Sequence, residues 1–214
     1  VWTGESFSGL DPATGKVYWS LPFQPGNMIM NIADPVYDPP YLFLSGFFDG
    51  SYLLKLDQET TTASMVYHRH GINERKTDAL HCCISTPFIH EGHVYGIDSY
   101  GEARCLDLLT GERIWEDLSL VPKARWANVH LVRQGDLTWG FNELGELLLA
   151  QFVVFPHAAA HIHRKGFHLG DGLAHVLGIE PSGQEDRHRG LLDDAGAQIP
   201  VMGAARPAQL LPGQ

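Results

Sequence analysis

Apolar residues along the first 150 positions come in short runs rich in Val, Ile, Leu, Phe and Tyr, broken repeatedly by Gly, Pro and Asp. No stretch keeps the three-to-four residue spacing of a helix, so the pattern predicts an all-β chain. One element recurs. Leu10 to Trp19, L-D-P-A-T-G-K-V-Y-W, returns at Leu106 to Trp115 as L-D-L-L-T-G-E-R-I-W. Each copy predicts a strand ending in Leu-Asp, a tight turn closed by Thr-Gly, and a second strand ending in Trp.

A further segment precedes each hairpin and extends the repeat. Ala33-Asp34-Pro35-Val36 leads to Tyr41–Leu44, a turn at Asp49-Gly50 and Tyr52–Asp57, while Ser85-Thr86-Pro87-Phe88 leads to His93–Ile97, a turn at Tyr100-Gly101 and Ala103–Asp107. Pro35 and Pro87 are 52 positions apart and Gly50 and Gly101 are 51 apart, so the copies stay in register. A third copy starts at Trp126, with strands at Val129–Val132, Leu137–Phe141 and Leu147–Ala150 and a turn at Gly145. A period of about 45–50 residues with some four strands per unit is the signature of a β-propeller, whose blades repeat in sequence. The reading is a partial propeller over residues 1–151: an end-of-blade hairpin (1–22), two fuller blades (about 28–67 and 81–118) and a truncated one (about 125–151).

The recurring residue types have physical reasons. Gly15 and Gly111 supply the positive φ that other residues adopt only at a cost, and Asp11 and Asp107 can accept backbone N–H groups across the turn. Trp19 and Trp115 each offer a large planar surface suited to covering the seam between blades. The middle copy has Asp57-Gln58-Glu59-Thr60-Thr61-Thr62 in place of the Thr-Gly turn and Tyr67 near the Trp position. Its blade is therefore expected to carry a longer or irregular outer turn.

Composition narrows the function classes. A formal charge of −10 argues against a nucleic-acid or anionic-membrane surface, which needs clustered Lys and Arg. No run approaches the roughly 18–20 apolar residues of a transmembrane helix. The chain starts at Val1 without Met, basic n-region or apolar h-region, so a start internal to a longer protein is expected, with the remaining blades elsewhere in the parent chain. Cys82, Cys83 and Cys105 are too few for a disulfide framework and lack metal-type spacing.

The pattern Asp, two residues, Thr-Gly-Lys or Thr-Gly-Glu, two residues, Trp resembles the tryptophan-docking motif of the quinoprotein-like (PQQ-like) β-propellers. That superfamily includes the pyrroloquinoline-quinone alcohol dehydrogenases and the propeller lipoprotein of the outer-membrane β-barrel assembly machinery. The order Ile84–Pro87, Val94-Tyr95-Gly96, Ser99-Tyr100-Gly101, Cys105–Asp107 and Thr110–Trp115 is most similar to uncharacterised PQQ-like repeat proteins of bacterial envelopes. The resemblance implies a periplasmic or cell-envelope setting. It specifies fold strongly and function weakly, because one scaffold hosts many activities.

A dehydrogenase of this kind would need the quinone, a Ca²⁺ cage, a catalytic Asp and a flat surface against the cofactor. Cys82-Cys83, as a vicinal disulfide, is the one cofactor-binding feature that the resemblance suggests. Such a bond closes a strained ring, and two ordinary strand cysteines are the simpler reading. Asp11, Asp57 and Asp107 are accounted for by turns, and no Asp or Glu pair with an Asn stands out as a Ca²⁺ cage. No catalytic residue and no cofactor are predicted. His68-Arg69-His70 and Lys123-Ala124-Arg125 form small polar clusters in inter-blade loops, where ligand contacts concentrate, and His81 and His130 stand at the start of inner strands.

From Phe152 the composition shifts to Gly, Ala, Pro, His and Arg, and periodicity ends. Residues 152–214 read as a low-complexity segment, either a disordered tail or an out-of-frame stretch. If the segment were helical, His157 and His161, at i and i+4, would share one face, and the His-x₃-His-x-His cluster with His163 could offer a Zn²⁺ or Ni²⁺ site, although no Glu or Cys joins it and Pro156 precedes it. The function expected is a non-catalytic PQQ-like repeat module for protein binding or scaffolding in the bacterial envelope. The rivals are a fragment of a pyrroloquinoline-quinone-dependent dehydrogenase and a propeller sensor domain of a larger signalling protein. With about three blades and open edges, the isolated chain is expected to be marginally stable or prone to aggregate.

Overall fold

The computed structural model describes residues 1–150, Phe152 and the backbone of Lys165–His168, all within the compact unit Val1–Val176. The regular elements of these residues are strands: β1 (Ser6–Leu10), β2 (Val17–Pro22), β3 (Val36–Asp38), β4 (Tyr41–Gly46), β5 (Gly50–Asp57), β6 (Thr62–Arg69), β7 (Phe88–His90), β8 (His93–Ile97), β9 (Ala103–Asp107), β10 (Arg113–Asp117), β11 (Val129–Gln134), β12 (Leu137–Asn142), β13 (Glu146–Ala150) and β14 (Lys165–His168). Each strand pairs antiparallel with its neighbour in sequence. This yields a two-stranded sheet, β1–β2, and three four-stranded sheets, β3–β6, β7–β10 and β11–β14.

Successive residues of a strand point to opposite faces, and here the inner strands are covered on both. Leu53, Val94 and Leu106 pack between the second and third sheets with Phe43, Leu80 and Cys82. Their neighbours Leu54, Tyr95 and Cys105 face the other way: Leu54 meets Phe7, Phe23 and Tyr52 toward the first sheet, whereas Tyr95 and Cys105 meet Trp115, Val129, Leu148 and Phe152 toward the fourth. A sheet covered on both faces loses the apolar–polar alternation of a half-exposed one, which explains continuous runs such as Tyr52-Leu53-Leu54.

The innermost segments carry the repeat into space. Asp34 N donates to Thr86 Oγ1 at 3.0 Å, joining positions 52 apart that occupy the same place in consecutive copies. Ser85 Oγ reaches Asn128 Oδ1 at 3.2 Å, so the third and fourth sheets meet in the same region.

The outer turns are built as their residues predict. Asp11 Oδ1 accepts from the Ala13 and Thr14 amides at 2.8 and 3.3 Å, and Asp107 Oδ1 from Leu109 and Thr110 at 3.0 and 2.8 Å. Gly15 and Gly111 sit at φ +73° and +69°. The middle copy departs from expectation: its turn is neither longer nor irregular. Asp57 Oδ1 accepts from Glu59 and Thr60 at 2.9 and 3.1 Å, and Thr61 takes the glycine position at φ +49°. Aspartate and strand pairing define the turn, and Thr61 bears the strain. The irregularity lies instead in the bulge, which falls between Val17 and Trp19 and between Arg113 and Trp115 in the other copies but between Met65 and Tyr67 here. That shift brings Tyr67 opposite Leu53.

A β-branched residue in the left-handed region costs about 1–2 kcal/mol, more than glycine's extra chain entropy of about 0.5–1 kcal/mol. Thr61→Gly should therefore raise the urea midpoint, by up to about 1 kcal/mol of stability. A lower midpoint would show that Thr61 is not strained.

The fourth sheet extends past the boundary expected at residue 151. β14 pairs with β13 from Glu146↔His168 to Leu149↔Lys165, and Phe152 is buried in the core. Strand addition runs through backbone groups and needs little side-chain pattern, so composition gives no sign of it.

Candidate functional site

Strand register gathers the long connections at one end of the sheets. Ser51 stands opposite both Ser45 and Arg69, so the chain leaves β6 beside the β4–β5 turn; Ala103 stands opposite both Ile97 and Asp117, so it leaves β10 beside the β8–β9 turn. The connections 23–35, 70–87 and 118–128 thus share this end with the turns 47–49, 98–102 and 143–145. The short aspartate turns occupy the opposite end.

Buried polar groups pin the long connections. Ser45 Oγ and Ser51 Oγ both donate to Leu80 O, at 2.8 and 2.6 Å, and accept in return from the Cys82 and Leu80 amides at 2.9 and 3.1 Å. Asn142 Nδ2 donates to Leu120 O at 3.1 Å, while its Oδ1 accepts from the Leu144 and Glu146 amides. The Arg104 guanidinium is the centre of a buried network. Its Nη1 lies 2.9 Å from each of Asp98 Oδ1, Thr77 Oγ1 and Ala79 O, and its Nη2 lies 2.8 Å from Glu116 Oε2. Thr77 Oγ1 donates to Asp98 Oδ2 at 2.7 Å, and the His81 amide to Asp98 Oδ1 at 2.6 Å.

His81 is fixed as a neutral ring. Its Nε2 accepts from the Gly71 amide at 3.2 Å, which leaves Nδ1 to donate to Phe47 O at 3.0 Å. Burial holds its proton affinity below the ordinary value near 6.5, and the same holds, by burial first, for His68, stacked on Tyr52 at 3.9 Å. The folded state thus binds fewer protons than the unfolded one as pH falls through 6.5, and acid favours unfolding. Asp78, Glu102 and Asp107 carry lowered carboxyl affinities, whose contribution is lost only near or below pH 4. Burial raises the carboxyl affinity of Asp98, beside His81, which acts in the opposite sense, so stability should decline between pH 7 and 5 to the extent that the two histidines outweigh it. Urea midpoints at pH 7.5 and 5.5 check this, and His81→Asn should flatten part of the slope.

Over this frame lies a surface of aromatic and charged side chains. Residues 71–76 form a small hairpin: Ile72 N donates to Lys76 O at 2.9 Å, and Asn73 Oδ1 accepts from the Arg75 and Lys76 amides. At its tip Glu74 accepts from Tyr100 OH at 2.9 Å and from Arg125 Nη2 at 2.6 Å. Arg125 covers the Trp126 ring at 4.6 Å, and Lys123 pairs with Glu102 at 2.6 Å. Trp126 is 46% exposed and stands at φ +69°, its amide bonded to Ser99 O and its carbonyl to Asn128 Nδ2.

No protein-family model matches the chain, and no curated protein does. Among solved structures it is similar to BamB from Moraxella catarrhalis, with a TM-score of 0.51 at 17% identity. The match covers 76% of this chain and 43% of that one, so the chain spans less than half of its solved neighbour. The fold is a partial β-propeller. The sheets are its blades, and the pinned end is its inter-blade loop face.

The residues singled out by sequence are divided between blade seams and turns. Trp115 is buried between the third and fourth blades, stacked on Phe152 at 5.8 Å, whereas Trp19 is partly exposed and lies over Gly9, where a Cβ would stand 2.3 Å from Nε1. Gly111 is closed in by the second blade: a Cβ would stand 3.0 Å from Tyr67 Cζ, and Arg69 Nη1 donates to Thr110 O at 2.8 Å. Thus Tyr67 rests against the Thr-Gly turn of the next blade.

Cys82 and Cys83 are buried free thiols. Burial pushes the Cys82 thiol up to about 12 and raises that of Cys83, so neither is a ready thiolate. Without a disulfide and without an open face, the pair does not fit a cofactor-stacking role. Among the described residues no group of three or more His, Cys, Asp or Glu could hold a metal ion, and no helix is long and apolar enough to cross a membrane. His157, His161 and His163 lie outside the described residues. His130 is exposed on β11, and His81 lies in a connection rather than a strand. Sequence reasoning passed over Arg104, Glu74 and Trp126. A lone Arg inside the apolar run Ala103–Leu106 was the available signal for the first.

Proposed function

We propose that the chain is a non-catalytic β-propeller repeat module that binds or scaffolds other proteins in the bacterial cell envelope. The observation that carries this reading is the loop face, a rigidly pinned platform that leaves Met28, Ile29, Ile32, Ile72, Trp126 and Leu144 exposed in its connections and turns. Apolar side chains gathered on loops over a fixed scaffold are the usual material of a protein-binding surface. The tryptophan-docking motif, its resemblance to PQQ-like envelope repeats and the similarity to BamB support the same reading. Cys82 and Cys83, buried as free thiols, lend the rival quinone-enzyme reading no support, and no cofactor is assigned to the module.

Photo-crosslinking in cells tests the proposal. A benzoylphenylalanine at Met28 or Leu144 should give discrete protein adducts, whereas one at Ala13 or Glu59, on the opposite end, should not. Adducts at neither end would overturn the proposal. So would quinone-dependent and Ca²⁺-dependent dye reduction by the purified protein.

A further inference from the structure

Resting on that reading, we infer that the hairpin 71–76 and Trp126 form the hot spot of the loop face, and that its partner is an acidic polypeptide segment with an apolar side chain beside its carboxylates. Three observations meet here. Ile72 is 86% exposed on a hairpin whose backbone is closed by its own hydrogen bonds, so an apolar side chain is held out to solvent by a fixed support. Trp126 is a bulky residue in the left-handed region, where a side chain of this size is an outlier. The bonds of its amide to Ser99 O and of its carbonyl to Asn128 Nδ2 hold that backbone and keep a half-exposed indole on the face, and Arg125 covers it. Tryptophan, tyrosine and arginine are the residue types that dominate binding hot spots, and Trp126, Tyr100, Arg75 and Arg125 supply all three.

Charge selects the partner. The segments 69–76 and 123–125 carry Arg69, Arg75, Lys76, Lys123 and Arg125 against Glu74 alone, in a chain of net charge −10. Arg69, Lys123 and Arg125 are tied to Asp78, Glu102 and Glu74. Arg75 is held by Tyr100 OH at 3.3 Å and feels the neighbouring Glu74, which is itself paired with Arg125, and among the described residues neither Arg75 nor Lys76 makes an ion pair of its own. Two cations without an ion pair thus share the hairpin of Ile72, on a surface whose other cations are neutralised. They attract carboxylates, while Ile72 and the indole take an apolar side chain between them.

The probe is a library of random dodecapeptides displayed on phage, selected against the whole chain. Enriched peptides should pair an apolar residue with Asp or Glu. Their affinity should fall at least about 30-fold for Trp126→Ala, the loss that defines a hot-spot side chain. It should fall at least about 10-fold for Arg75→Glu and for Ile72→Ser, which has almost no packing to lose, and should hold for Lys16→Glu at the opposite end. Peptides that bind all variants alike, or that are basic, overturn this assignment and leave the protein-binding reading standing. A selection that enriches nothing overturns both.

Discussion

Arg104→Ala should destabilise the protein by about 3–5 kcal/mol, the range found when one partner of a buried ion pair is removed. Asp98 and Arg104 are 1% and 5% exposed, so water cannot replace the guanidinium when it is lost. Truncation strands the Asp98 carboxylate and frees Ala79 O and Thr77 Oγ1, each of which has Arg104 Nη1 at 2.9 Å. Lysine is a poor substitute, because one ammonium cannot serve Asp98 on one side and Glu116 on the other as a planar fork does. The diagnostic variant is Arg104→Met with Asp98→Asn, which removes both charges and should recover part of the loss. Urea unfolding of the parent, Arg104→Met, Asp98→Asn and the double variant gives the coupling directly. A single variant within about 0.5 kcal/mol of the parent, the standard of ordinary surface substitutions, would show that the network does not hold the loop face.

The same residue shows how far sequence reasoning reaches. Leu-Asp, Thr-Gly and Trp at fixed spacing located the outer hairpins, because each residue answers a local demand: an aspartate for free amides, a glycine for positive φ, and a flat ring for a seam. The Arg104 network answers no local demand. Thr77, Asp98 and Glu116 come from a connection, a turn and the neighbouring strand, and only the sheet topology brings them together. Thr61 shows the converse, since the turn keeps its geometry although the glycine that announces it is gone. The backbone conformation of Trp126 had no signal, because nothing in Arg-Trp-Ala marks a left-handed residue. The loop face was thus readable as a location, from blade topology, but not as a surface, which depends on contacts between connections far apart in sequence.

Phe152→Ala should cost about 3–5 kcal/mol, as deletion of a fully packed aromatic does. Its ring is stacked on Trp115 and meets Tyr95 and Phe88 edge-on, each centroid 5.7 Å away. It is 7% exposed, so truncation leaves a void beside Trp115 rather than a wet surface. Phe152→Leu, which refills much of that volume, should lose considerably less, and a cycle of Phe152→Leu with Trp115→Leu, each of which removes a ring, should yield a coupling of about 0.5–1.5 kcal/mol for the ring pair. Composition separates Phe152 from the repeat, since apolar periodicity ends there, and yet this residue closes the seam of the last blade and leads toward β14. An unchanged urea midpoint for Phe152→Ala would mean that its ring does not hold the seam of the last blade. A loss of the predicted size would make Phe152 part of the propeller core, and the aromatic seam around Trp115 the reason the last blade needs it.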